Sequence, residues 1–181
     1  MVQQARTQPG QVRKEAAIHA STCVYHFLMM TKEEYMKLAL KEASKAKDKD
    51  EVPVGAIVVL NGEVIAKGHN LREHKQLPTS HAEIVAIEKA AKKLGTWHLD
   101  ECDLYVTLEP CMMCIGALNL ARIKNVYYGT KDPKFGAVDS MIEYKKIKGM
   151  NKHPKTEGNI LQKECAEILT SFFQAKRKAK G

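Results

Sequence analysis

The alternation of apolar and polar positions divides the chain into elements from Thr31 onward. Thr31 and Glu34 have the spacing of a capping box, and Tyr35, Met36, Ala39, Leu40, Ala43 and Ala46 follow at helical intervals, which predicts a first helix ending near Lys49. Val54 to Leu60 is a β-rich run, Asn61-Gly62 is a type I′ hairpin signal, and Val64 to Gly68 returns as a second strand. Leu71 to Ser80 reads as a loop. The next helix is predicted from about 80 to 94, with Ser80 before it, Gly95 just past it, and Ile84, Val85, Ile87, Ala91 and Leu94 on its core face. Leu104 to Leu108 is a short buried strand, Pro110 stands at or beside the first position of a helix reaching about Ala121, and Asn125 to Gly129 is the strand after it. Strand, helix and strand in that order imply a parallel crossover and an α/β class, with ligands beyond the carboxyl ends of the strands. From Lys131 to Gly158 the pattern gives only a turn at Asp132-Pro133, a short helix near Ser140 to Ile147 and a loop at His153-Pro154. A last helix, about Asn159 to Lys178, carries Ile160, Leu161, Ile168, Leu169, Phe172 and Phe173 as core and ends in exposed Lys176-Arg177-Lys178.

Composition narrows this picture. A chain of 181 residues with 44% apolar content suits one domain that buries a core without disulfides. No internal repeat is visible, and no apolar run approaches the roughly 18 residues of a membrane span, so nothing is expected to cross a bilayer. Five cysteines are an odd number without framework spacing, which fits a reducing cytoplasm. The net charge of +8 is uneven: from Lys145 onward there are ten basic residues against three acidic ones. Such an end is either a solvated face or a phosphate-contacting surface. Residues 1–30 differ from the rest in being rich in Gln, Thr, Pro and Gly at their start. They form an extension without an assigned role; Arg6, Arg13 and Lys14 would fit a transit peptide, but the amphipathic pattern is weak.

The chemistry concentrates in two stretches, His81-Ala82-Glu83 and Pro110-Cys111-Met112-Met113-Cys114. One imidazole and two thiols make a soft donor set that selects zinc over magnesium or calcium. Three protein ligands leave a coordination position open, as catalytic zinc sites do, and Glu83 is the carboxylate to move protons. The pattern H-x-E followed by P-C-x-x-C is that of zinc nucleobase deaminases. Other readings stand beside this one. Ser80 and Glu83 have capping-box spacing, so Glu83 could serve only the helix start. A C-x-x-C alone is also a redox pair or a structural metal clip, and Cys102, His98 or Cys165 could supply a fourth ligand and close the site. His81 and Glu83, two residues apart, can converge only in a first helical turn, whereas Cys111 and Cys114, three apart, share a helix face. The metal is therefore expected between two helix N-termini, where the dipole favours thiolates.

With these residues in place, the chain from about Thr31 to Lys178 resembles the bacterial tRNA-specific adenosine deaminases of the TadA type. The likeness runs through Glu51-Val52-Pro53-Val54-Gly55-Ala56, Gly68-His69-Asn70, Pro78-Thr79-Ser80-His81-Ala82-Glu83, Leu108-Glu109-Pro110-Cys111, Asp132-Pro133-Lys134 and Phe172-Phe173. It implies a cytidine deaminase-like α/β fold with a central mixed five-stranded sheet flanked by helices, so that residues 31–181 are a zinc-dependent deaminase domain with a basic C-terminal helix. The same resemblance implies a homodimer and hydrolytic conversion of adenosine to inosine at the wobble position of a tRNA anticodon. In that reading Glu83 is catalytic, His81, Cys111 and Cys114 hold Zn2+, and Asn70 and Asp132 bind the substrate, an anticodon stem-loop. Departures occur at Asp139, where the family commonly has glycine, and at Asn151-Lys152-His153. The alternatives are a deaminase of free nucleobases or nucleosides, guanine or cytosine, and a non-catalytic zinc-stabilised RNA-binding module.

Overall fold

The computed structural model describes residues 30–148 and 154–179. The extension ahead of Met30 and the Asn151-Lys152-His153 segment lie outside the described residues. Helix α1 (Lys32–Lys47) starts at the predicted capping box, in which Thr31 and Glu34 satisfy each other's backbone N–H. It stops two residues before the predicted end, because Asp48 to Asp50 turn, with Asp50 in the left-handed region, to bring Glu51 back onto the N-H-accepting carbonyl of Ala46. Strands β1 (Gly55–Leu60) and β2 (Glu63–His69) form the expected hairpin, with Asn61 and Gly62 both at positive φ as a type I′ turn requires.

The segment predicted as a loop contains a one-turn helix, α2 (Arg72–Lys75). Helix α3 (Ala82–Leu94) follows and ends at left-handed Gly95. Strand β3 (Cys102–Leu108), helix α4 (Met112–Leu120) and strand β4 (Asn125–Thr130) make the parallel crossover. Only a single 3₁₀ turn, Tyr144–Lys146, occupies the region predicted as a short helix. A strand that the pattern did not disclose, β5 (Lys155–Glu157), pairs parallel to β4. Three edge residues are too few for an alternation to be read. Helix α5 (Gln162–Lys178) begins later than predicted because Asn159 and Leu161 are both in the left-handed region.

The sheet is mixed and five-stranded, in the order β2-β1-β3-β4-β5, antiparallel across the first three strands and parallel thereafter. Helices α1 and α5 pack on one face and α3 and α4 on the other. Two glycines set how closely the helices approach. A Cβ on Gly55 would lie 2.1 Å from the Ala39 carbonyl oxygen in α1, and one on Gly68 would lie 2.4 Å from the Ala82 carbonyl oxygen in α3. Fully buried Ala82, Ala86 and Ala90 complete that close fit, so the first turn of α3 rests directly on β2. The core face of α3 is accordingly built on these alanines together with Val85 and Ile87, while Leu94, predicted as core, is 37% exposed at the helix end. Phe173 is likewise exposed, because Phe172 and Cys165 form the buried stripe of α5.

Candidate active site

The predicted site residues gather at one end of the sheet. Leu108 of β3 lies beside Thr130 of β4, and Glu109 N–H donates to the Thr130 carbonyl at 2.8 Å, so Pro110-Cys111 and Lys131-Asp132 leave the sheet side by side. At the carboxyl end of β2, Leu71 N–H donates to the Ser80 carbonyl at 3.0 Å, which brings the residue after Asn70 against the start of α3.

His81 is the N-cap of α3 and Cys111 the N-cap of α4, and neither side chain is spent on capping. The predicted cap is one residue out: Ser80 precedes the cap, and Glu83 is the second residue of the helix rather than the third. A capping box between Ser80 and Glu83 is therefore not formed, and Glu83 accepts from its own backbone N–H instead. Pro110 similarly stands just before the cap rather than within the helix. Free of capping, His81 turns Nδ1 to within 3.7 Å of Cys111 Sγ and 3.5 Å of Cys114 Sγ. Among the described residues these three form one donor cluster, with ligand atoms all within 4.8 Å of one another. Cys102 begins β3, at the far end from Cys111, and Cys165, on the buried stripe of α5, lies against Gly129; neither these nor His98 belong to the cluster.

The donor set fits a soft divalent cation. Hydrogen bonding from Cys114 and then from His81 pulls the Cys111 thiol down to about 4 against the cost of its burial, whereas the adjacent Cys111 sulfur and burial push Cys114 far up. Two sulfurs in this position cannot both ionise unless a positive charge lies between them. Glu83 is 4% exposed, and burial raises its carboxyl above the usual carboxylate range, with its own backbone N–H and then His81 opposing. A buried carboxylic acid beside an ionisable donor set is suited to take up and release a proton.

Two further carboxylates surround this centre. Buried Glu109 accepts from the backbone N–H groups of Asp132 (3.0 Å), Val138 (3.0 Å), Asp139 (2.7 Å) and Ser140 (3.0 Å) and from the Ser140 hydroxyl, and so ties the loop after β4 to the chain entering Cys111. Although burial alone would raise its carboxyl, these donors hold it below the ordinary range. Gly136 is needed there, since a Cβ would lie 2.4 Å from Glu109 Oε2. Glu51, between α1 and β1, is fully buried and accepts from Asn70 Nδ2 at 3.2 Å and from the His74 N–H at 2.8 Å. Sequence reasoning gave neither carboxylate a role. The available signal was an acid inside a mostly apolar stretch, Glu51-Val52-Pro53-Val54 and Leu108-Glu109-Pro110, where charge is retained only if backbone donors await it. Asp139 accepts from the hydroxyl of buried Tyr128, which gives the departure from glycine a local partner.

The chain matches the family model of the MafB19-like deaminases over residues 30–177. It is 47% identical over 152 residues to the tRNA-specific adenosine deaminase of Bacillus subtilis, covering 83% of this chain and 94% of that one. It belongs to this deaminase family. Among solved structures, a tRNA:A34 deaminase studied for A-to-I editing at the wobble position of transfer RNA superposes with a TM-score of 0.73. That protein is 45% identical, and the match covers 75% of this chain and 98% of the other. A guanine deaminase from Bacillus subtilis is 34% identical, with a TM-score of 0.55 over 82% of this chain and 95% of that one. The five-stranded deaminase fold implied by the resemblance is thus the fold of this family.

Proposed function

We propose that this deaminase converts adenosine to inosine at the wobble position of a tRNA anticodon. The observation that carries the reading is the convergence of His81, Cys111 and Cys114 at two helix starts with buried, upward-shifted Glu83 beside them. Zn2+ is the cofactor this donor set favours, and when bound it would supply a Lewis acid that makes water nucleophilic at neutral pH. The chain's own residues handle the rest. Glu83 accepts one proton from the attacking water and passes it to the adenine ring nitrogen as oxygen adds at C6. It then carries the second proton from the new hydroxyl to the amino group as the C–N bond breaks and ammonia leaves. Asn70, at the end of β2, and Asp132, after β4, hold the nucleoside, Asp132 by accepting from a ribose 2′-hydroxyl. Phe135, 64% exposed on the loop anchored by Glu109, offers a stacking surface for an unpaired neighbouring base. Extrusion of a base costs a few kcal/mol and least where the base is already unpaired, which favours an anticodon loop.

Two features support the assembly and setting implied by the resemblance. Helix α4, Met112-Met113-Cys114-Ile115-Gly116-Ala117-Leu118-Asn119-Leu120, has no charge on any face, and Met112, Met113 and Leu120 are exposed. A groove of about 700 Å³ lined by Ile87, Trp97 and Leu120 continues this surface away from the metal ligands. An apolar helix open to solvent suits a second copy of the chain, and hence a homodimer. No helix among the described residues is long and apolar enough to cross a membrane, and Cys102, Cys111, Cys114 and Cys165 are unpaired, which suits a reducing cytoplasm.

The test is inosine formation and ammonia release with tRNA, a bare anticodon stem-loop, and free adenosine, guanine and cytosine. Turnover on the stem-loop with none on the free compounds supports the proposal. Turnover confined to a free base would assign the site to base deamination, and no turnover in zinc-loaded protein that binds tRNA would leave an RNA-binding module.

A further inference from the structure

Asn70 is 6% exposed, yet its amide is only half satisfied. Its backbone N–H donates to the Val54 carbonyl at 3.0 Å and its side-chain Nδ2 donates to Glu51 Oε2 at 3.2 Å. Among the described residues, Oδ1 has no hydrogen-bond partner. A buried acceptor left open in this way is uncommon and points to a group supplied from outside the chain.

The direction in which the amide faces is set by Glu51. A carboxylate only accepts hydrogen bonds, so the amide NH2 must turn toward it and the carbonyl oxygen away. Glu51 itself cannot reorient, because it is fully buried and its other oxygen accepts the backbone N–H of His74 in α2 at 2.8 Å. The asparagine is therefore locked by a neighbour that lies outside the metal cluster.

We propose that Glu51 is a positioning residue that fixes the polarity of the Asn70 amide, so that the substrate meets a carbonyl acceptor and must bring a hydrogen-bond donor, a sugar hydroxyl of the target nucleoside. The inference rests on the reading that Asn70 contacts substrate. An amide free to rotate would accept or donate with equal ease; one held by Glu51 rejects a sugar that offers no donor.

The polarity can be inverted and restored. In Glu51→Gln, the glutamine oxygen must still accept the His74 N–H, so its NH2 faces Asn70, and the Asn70 amide flips to present NH2 to the substrate. This variant should keep its metal content but lose at least about tenfold in kcat/KM on the anticodon stem-loop. Glu51→Gln with Asn70→Asp should recover most of that loss, because an aspartate accepts both from Gln at 51 and from the sugar. Asn70→Asp alone places two carboxylates together. One must hold a proton to keep the original polarity, so its activity relative to wild type should climb as pH falls from 8 to 6.

Metal content, melting temperature and kcat/KM are to be measured on each variant. An Asn70→Ala variant with unimpaired turnover would overturn the reading of Asn70 itself. An impaired Asn70→Ala beside a near-normal Glu51→Gln would overturn only the role of Glu51, as would a double variant no better than Glu51→Gln. If Glu51→Gln does not fold, the Asn70→Asp pH ratio decides alone: a rise supports the proposal and a flat ratio overturns it.

Discussion

The backbone N–H of Asp132 donates to Glu109 Oε2 at 3.0 Å, so a residue beyond β4 is positioned by a carboxylate beyond β3. Asp132 Oδ1 in turn accepts from the Lys134 N–H at 2.9 Å and the Phe135 N–H at 3.2 Å, which closes the turn. One carboxylate oxygen thus serves the loop, and the other is the one proposed to accept from a ribose hydroxyl. Asparagine can keep the turn-closing acceptor while removing the charge. Asp132→Asn is expected to lose some activity on an RNA stem-loop but to gain relative activity on the same loop made of DNA, where the charge meets no 2′-hydroxyl and repels phosphate. The measurement is the ratio of turnover on the two loops for each protein; an unmoved ratio assigns Asp132 to its turn alone.

Glu83 forms no capping box, and the bond its carboxyl accepts from its own backbone N–H is one a glutamine oxygen can keep, so its replacement by glutamine should leave α3 intact. Glu83→Gln is expected to retain fold and zinc while losing about 10²- to 10⁴-fold in turnover, the usual contribution of a general acid-base group. Metal analysis and single-turnover inosine formation on the same preparation check this. Near-normal rates with metal retained would remove Glu83 from the mechanism.

The basic end of α5 divides in two. Lys176 is paired with Asp50 and lies over the Phe172 ring at 5.6 Å, so it is committed to the protein surface. Arg177 and Lys178 are exposed at the helix end. Neutralising Arg177 and Lys178 should make the dependence of log affinity for tRNA on log salt shallower by about 0.7 to 0.9 per lost phosphate contact, whereas Lys176→Gln should leave it nearly unchanged. A binding titration across salt concentrations reads both; equal slopes in all three proteins would give the tail to solubility.

His69 bridges a lysine and a glutamate. Its Nε2 lies 3.1 Å from Lys49 Nζ, which can only donate, so Nδ1 carries the proton and donates to Glu42 at 3.2 Å. Burial, with Lys49 adding to it, holds the imidazole below its ordinary 6.5. Burial opposes ionisation of Glu42, but Lys45 and His69 outweigh it and hold the carboxyl below its ordinary 4.5. For both groups the unfolded chain binds protons at a higher pH than the folded one, so stability present at neutral pH is lost on acidification. Urea denaturation is expected to show a first decline as pH falls through about 6.5 and a second below about 4.5. His69→Gln should flatten the first decline, and a wild-type curve level from pH 7 to 5 would contradict the assignment.

What the sequence determined by itself was whatever depends on near neighbours along the chain. The α1 capping box and the Asn61-Gly62 turn are local backbone chemistry, and the parallel crossover follows from strand, helix and strand in succession. The His81, Cys111 and Cys114 donor set was legible because metal ligation demands particular side chains at particular spacings. The tertiary structure decided what depends on encounters between distant segments. Ser80 and Glu83 had the spacing of a cap, yet packing of Ala82 and Ala86 onto Gly68 places the helix start one residue later and releases His81 toward the thiols. β5 exists only because β4 offers it an edge, and three residues carry no period of their own. Glu51 and Glu109 had no role assigned from the sequence, since the Asn70 amide and the Asp132 to Ser140 backbone donors that make their burial tolerable come from distant segments. A buried carboxylate is stabilised by its hydrogen-bond donors, and those donors come from parts of the chain that only folding brings to it.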